Sequence, residues 1–170
     1  MLWNEGRNLK VEMLTTTEYI IHALVKVPSR SHNFLFTDIY ASPNLIKRKM
    51  LWEYLKNLAS SIILLWVVLR DFNETLAEDE KMGGLPLNGN TISTFRDCID
   101  QCGLMDLGFH GPRYMWTNKI LIWHHNVKER LSRGLGNVEW KFISPKKKKK
   151  LSFSLLIGHK LNDPFVIEIN

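Results

Sequence analysis

An α/β domain is what this sequence predicts, and three stretches predict it. Ile62–Leu69 is an uncharged apolar run rich in β-branched residues. It is too short for a membrane span and bounded by polar residues, so it reads as a strand buried on both faces. Phe34–Tyr40 ahead of it is a second strand, and the segment between them carries apolar residues at helical spacing, which makes a strand–helix–strand unit. Thr91–Cys102 is a second amphipathic helix, with Ile92, Phe95, Ile99 and Cys102 along one side and Gly103 in the helix-ending position.

Composition bounds the rest. The 170 residues suit one domain with a sizeable core, and 45% hydrophobic residues with six Trp, most of them expected in that core, exclude a disordered chain. Formal charge is +6, but five of those positives are the run Lys146–Lys150, which leaves the body of the chain at +1. That run suits a nuclear-localisation or phosphate-binding patch, or a disordered tether. Cys98 and Cys102, four apart on a helix, are too few for a disulfide framework or a zinc site and read as reduced core thiols. No charged-then-apolar leader opens the sequence, and no apolar run has transmembrane length. The expected setting is intracellular, nuclear or cytoplasmic, with no membrane partner.

The elements follow in order. Met1–Trp3, Leu9–Leu14 and Tyr19–Val27 read as strands, the last half-buried because Ile21, Ala23, Val25 and Val27 alternate with His22, Leu24 and Lys26. After Phe34–Tyr40, Ser42 is the expected N-cap and Pro43 the first helical residue. The helix runs to about Ser60, with Leu51, Leu55 and Leu58 inward and Lys47, Arg48 and Lys56 on other faces. Glu78, Asp79 and Glu80 form a solvated acidic loop, and LPLNGN is a loop punctuated by Gly and Pro. Leu104–Phe109 is short and apolar, His110–Pro112 a turn and Tyr114–Thr117 a strand. Ile120–Trp123 and Val127–Leu131 pair as a hairpin across His124, His125 and Asn126. Gly134 and Gly136 weaken what reads as a short helix ending at Trp140. Leu151–Ile157 and Pro164–Ile169 are candidate last strands, and there is no internal repeat.

Chemistry concentrates where the apolar run stops. Asp71, Phe72 and Asn73 follow Arg70 at once. Open α/β sheets bind ligands just past the carboxyl ends of their strands, where a carboxylate and a carboxamide two residues apart can aim at one point. A bare D-F-N is equally met by a turn in which Asp71 and Asn73 bond their own backbone. Adjacent His124 and His125 point to opposite faces of a strand and make no metal pair.

DFNETLAEDEKMGG, FRDCIDQCGLMDLGFHGPRYMWTN and VKERLSRGLGNVEW, in that order, resemble the endonuclease domain of plant long interspersed (LINE, non-LTR) retrotransposons, part of the endonuclease/exonuclease/phosphatase superfamily. The upstream FTDIYASPN and LWEYLKNLASS are similar to the same family, as is MLWNEGRNLKVEML, so the resemblance spans about residues 1–142. It implies two packed β-sheets flanked by helices, and Mg²⁺-dependent hydrolysis of a phosphodiester that nicks one DNA strand. Carried over by motif, Asp71 orients or deprotonates the water, Asn73 donates to the phosphate and Tyr40 approaches it. Trp116, Thr117, Asn118 and Arg130 fall on the DNA-facing side.

The departures matter as much. The family's first half, with an early metal-site Asn and the metal-binding Glu, has no counterpart, so the expected architecture is a partial sandwich with an apolar face and a strand edge left bare. The Gly before D-F-N is Arg70 here. The R-L-D-R motif stands as Arg130, Leu131, Ser132, Arg133, without its carboxylate. The closing S-D-H-x-P best fits Lys160, Leu161, Asn162, Asp163, Pro164, which replaces the Asp and the catalytic His; Asp163 serves only in a shifted register. No metal ligand set is retained. Residues 143–150 read as a Lys-rich linker and 151–170 as degenerate last strands of the same domain. Three readings follow: an endonuclease domain that has lost activity, a non-catalytic basic nucleic-acid-binding remnant, and a decayed genomic copy with no selected role.

Overall fold

In the computed structural model, residues 10–26, 33–108, 113–122, 125–143, 149–153 and 165–169 are described. The strands are β1 (Lys10–Thr16), β2 (Ile20–Lys26), β3 (Phe34–Tyr40), β4 (Leu65–Asp71), β5 (Lys81–Met82), β6 (Leu104–Asp106), β7 (Trp116–Thr117), β8 (Lys128–Glu129), β9 (Ser132–Asn137), β10 (Lys149–Phe153) and β11 (Phe165–Ile169). The α-helices are α1 (Leu45–Ala59), α2 (Gly89–Gln101) and α3 (Val138–Ile143). A six-stranded sheet runs β1-β2-β3-β4-β9-β6, and a three-stranded sheet runs β5-β8-β7. This is the expected α/β architecture of two sheets flanked by helices. The last two strands pair with each other, so Lys149 and Lys150 open a strand. His110–Pro112, Trp123, His124, Met1–Trp3 and the Lys160–Pro164 match lie outside the described residues.

The centre is β4, parallel to β3 and antiparallel to β9. It starts three residues later than the apolar run and continues through Asp71; Ile63 is 94% exposed. Its burial on both faces is as expected. Trp66 and Val68 join Leu35 and Ile39 against Leu51, Trp52 and Leu55 of α1 and Phe95, Cys98 and Ile99 of α2. Val67 and Leu69 face the other way with Ala23, Val25, Phe34, Phe36 and Trp140. Fully burying one such side chain is worth roughly 1.5–3 kcal/mol, so a strand with two buried faces organises the sheet.

Several details differ from the sequence reading. Asn44, not Ser42, caps α1: its Oδ1 accepts from the N–H groups of Ile46 (3.0 Å) and Lys47 (3.2 Å), while Ser42 Oγ accepts from Asn44 N–H. Pro43 therefore precedes the cap. His22 is buried rather than facing solvent, because its Nδ1 meets Thr37 Oγ1 (2.9 Å) and its Nε2 meets Tyr54 OH (3.0 Å). The hairpin partner of β8 is β7, with Trp116 opposite Glu129, and 120–122 belong to the connection between them. The second face of the large sheet is not bare; its apolar residues are buried, and Trp140 packs edge-on against Phe34. The exposed edge is β1.

The largest difference is β9, read from sequence as part of a helix. Gly134 and Gly136 depress helix propensity, and pairing on both sides, to β4 and β6, makes the segment an inner strand. Asn137 fastens its end: its Oδ1 accepts from Trp66 N–H (3.0 Å) and Trp140 N–H (3.2 Å), and its Nδ2 donates to Leu64 O (2.9 Å). Gly136 is required by close approach, since a Cβ there would lie 2.9 Å from Trp140 Cδ1 and 3.1 Å from Leu107 Cδ2. Gly136→Ala is therefore expected to destabilise the domain by about 1–3 kcal/mol. Urea denaturation measures this, and an unchanged midpoint would contradict the packing described.

Candidate functional site

Strand register builds the site. Tyr40 at the end of β3 is the cross-strand partner of Asp71 at the end of β4, and Asp71 is the partner of Ser132 at the start of β9. Three neighbouring strands thus bring Tyr40, Asp71 and Ser132 into one row along a rim of the large sheet. Alternation puts this row on the same face as Asp38, Phe36 and Leu69. Tyr40 is 59% exposed, so the row opens outward.

Asp71 and Asn73 form a turn. Asn73, at φ 51°, donates its N–H to Asp71 Oδ1 (2.9 Å), and its Nδ2 donates to Ala41 O (3.1 Å). The turn reading of D-F-N is met at a strand's carboxyl end, where its polar groups hold the loop. Phe72 between them is buried, stacked on Trp52 and tilted on Phe95, and anchors the turn to the helical layer. Burial pushes the Asp71 carboxyl above the ordinary carboxylate range, and the Asn73 N–H draws it partly back.

Arg70 occupies a conformation that explains why a glycine suits this position. Its φ is 97°, in the left-handed region that side chains other than glycine seldom adopt. Regular alternation would place it beside its cross-strand partner Arg133, on the helical face. Instead its Nε lies 3.2 Å from Asp38 Oδ1. Burial raises Asp38 from 3.8 to about 6, against the pull of the Arg70 charge.

Behind the rim lies a polar core that sequence reasoning missed. Glu80, read as part of a solvated acidic loop, is buried. Its Oε1 accepts from Arg130 Nη1 (2.8 Å) and Arg133 Nη1 (3.1 Å), and its Oε2 from Arg133 Nη2 (2.8 Å) and Leu76 N–H (2.6 Å). Arg130 also forks onto Asp106 at 2.8 and 3.1 Å, and Arg48 of α1 reaches Glu74 at 3.2 Å. Burial works to raise the Glu80 carboxyl, but the bonds and charge of Arg133, with Leu76 N–H and Arg130, bring it below its ordinary value. Nothing in the local sequence marks Glu80 or Arg133 as partners.

The other candidate residues lie in the small sheet or join it. Trp116 is 43% exposed, and Thr117 Oγ1 bonds Asn126 Oδ1 (3.2 Å). Asn118 donates to His125 O (2.8 Å) and accepts from Val127 N–H (3.1 Å), which closes the β7–β8 connection. Arg130 is buried with its guanidinium on carboxylates, one residue beyond β8. Cys98 and Cys102 are free and buried.

Among the described residues, the donor set at this rim does not fit a divalent cation. Mg²⁺ takes hard oxygen ligands in near-octahedral array. At this rim Asp71 already accepts a backbone bond, Ser132 brings a hydroxyl and Asp38 faces Arg70. Among the described residues, no three His, Cys, Asp or Glu are grouped to hold a metal.

No protein-family model and no curated protein matches this sequence. Among solved structures, the endonuclease domain of TRAS1, a telomere-specific non-LTR retrotransposon, superposes with a TM-score of 0.60 at 10% identity, over 86% of this chain and 63% of that one. The chain shares the fold of that domain. This chain spans less than two thirds of the TRAS1 domain's length. Two others are an endonuclease/exonuclease/phosphatase family protein from Leptotrichia buccalis (TM-score 0.44, 15% identity, 86% and 50% covered) and D. rerio TDP2 complexed with single-strand DNA product (0.45, 16%, 93% and 63%). No helix among the described residues is long and apolar enough to cross a membrane.

Two outcomes follow. Glu80→Gln is expected to cost about 3–5 kcal/mol, because it removes the buried negative charge that Arg130 and Arg133 share; a loss under about 1 kcal/mol in urea denaturation would contradict the network's role. For Asp38, the folded chain holds its proton more tightly than the unfolded one. That stability is complete below about pH 4 and lost as pH rises through about 6, by about 2–3 kcal/mol. Comparing pH 5 with pH 7.5, Asp38→Asn should remove most of this loss, and equal pH slopes for both proteins would contradict it.

Proposed function

We propose that this chain is a retroelement-derived DNA-nicking phosphodiesterase domain, of the plant LINE type its motifs resemble, that no longer hydrolyses its substrate. The observation that carries the reading is the row Tyr40–Asp71–Ser132, in which a hydroxyl stands where the resemblance calls for a carboxylate. Support comes from the TRAS1-like fold and from the motif order along the sequence. Residues 1–142 form the endonuclease-like domain on this reading, 143–150 a Lys-rich linker and 151–170 degenerate strands.

In the reading, Asp71 and Asn73 shape the pocket floor and Tyr40 faces the phosphate. Trp116, Thr117, Asn118 and Arg130 build the DNA-facing side, Trp116 by contact and Arg130 by holding the loop from behind. Mg²⁺ in such a family polarises the phosphate and activates water. Groups that act together in hydrolysis are grossly non-additive, so loss of the ligand set removes nearly all activity at once. What remains is a surface for nucleic acid, with the Lys146–Lys150 run adding sequence-independent attraction.

Incubated with supercoiled DNA and Mg²⁺, the chain is expected to nick no faster than a protein-free control, and Ser132→Asp alone to restore nothing. Metal-dependent nicking that disappears in Asp71→Ala would overturn the proposal.

A further inference from the structure

The disagreement between the rim and a divalent cation has a particular form. The rim carries a cation of its own. Arg70 adopts a left-handed φ of 97°, a conformation that costs of order 1–3 kcal/mol in a non-glycine residue, and its guanidinium lies against Asp38. Asp38 is buried, with 7% of its side chain exposed, and an unpaired buried carboxylate costs several kcal/mol. The Arg70 charge offsets part of that cost, which burial still dominates. Arg70 keeps 19% of its side chain exposed, next in sequence to Asp71 and one strand from Tyr40. Its cross-strand partner Arg133 is held behind the sheet, by Glu80 and over the Phe95 ring.

We infer that Arg70 takes over at this rim the charge role of a divalent cation, so that a nucleic-acid phosphate is held here without metal. The inference rests on the nucleic-acid reading above for its ligand, and on Arg70, Asp38, Asp71 and Ser132 for its chemistry. A guanidinium suits the task because its planar fork donates to phosphate oxygens and is always charged. The same placement blocks a metal, since it neutralises Asp38 and leaves Asp71 as the one other carboxylate of the row. Arg70→Gly relieves the strained φ and frees Asp38. Ser132→Asp adds a carboxylate directly across from Asp71. The pair of changes should create a cation site that the natural chain lacks.

The test has two arms on the full 170-residue chain. In the first, fluorescence anisotropy with a labelled single-stranded oligonucleotide is run in EDTA and in Mg²⁺. Equal affinity in both is expected, with Arg70→Gly about fivefold weaker in each, the loss of one charge-assisted contact. Binding that requires Mg²⁺, or that ignores Arg70→Gly, overturns the inference. In the second arm, Mn²⁺ binding is followed by water-proton relaxation. Arg70→Gly/Ser132→Asp should bind Mn²⁺ about tenfold or more tighter than the natural chain, and adding Asp71→Asn should remove the gain. Mn²⁺ held by the natural chain and released by Asp71→Asn overturns the inference. Absence of nucleic-acid binding in both buffers overturns the functional reading instead, and the charge role of Arg70 is then decided by the Mn²⁺ arm. Thermal unfolding of each variant confirms that the fold is retained, and Arg70→Lys, which keeps charge without the fork, separates loss of charge from loss of structure.

Discussion

The rest of this structure depends on one buried set of ion pairs, Glu80 with Arg130 and Arg133. Arg133 belongs to β9, an inner strand of the large sheet; Glu80 ends the short turn after the D-F-N loop; Arg130 joins the small sheet to β9. Two pieces of chain 50 and more residues apart in sequence are locked by one carboxylate. Charges this buried do not stabilise by attraction alone, because their desolvation costs about as much. Their effect is to disfavour alternatives: any other position for 74–80 takes away the carboxylate that Arg130 and Arg133 share. The D-F-N turn inherits its position from that constraint and from Phe72 on the aromatic layer.

The rim in front shows a second balance, between backbone strain and charge. A glycine would adopt the φ of Arg70 at no steric cost. An arginine holds it here with its Nε against the buried Asp38. Strain, ion pair and the Ser132 hydroxyl beside Asp71 form one chemical pattern in which positive charge is internal to the protein.

Much of this was legible in the sequence where local periodicity and burial agree. Phe34–Tyr40 is a strand as read, because apolar residues on both sides of it are buried, and α2 follows the Ile92–Phe95–Ile99–Cys102 spacing with Gly103 at φ 62° after it. What stayed hidden is set by distant partners. Nothing local marks Ser132–Asn137 as a strand; two glycines and an arginine become one only between β4 and β6, with Trp140 pressed on Gly136. Glu80 differs from Glu78 and Asp79 only in which arginines it meets. The rim row could be anticipated from Tyr40 and Asp71 at strand ends, whereas the turn-forming bonds of Asn73 and the Arg70–Asp38 pair required the register.

The most direct measurement is a crystal structure of the natural chain grown with Mn²⁺ and phased at the manganese edge, where bound metal announces itself by anomalous scattering. The account predicts Arg70 at positive φ with its guanidinium on Asp38, and no anomalous density beside Asp71. A manganese ion coordinated by Asp71, with Arg70 turned away from Asp38, would contradict it.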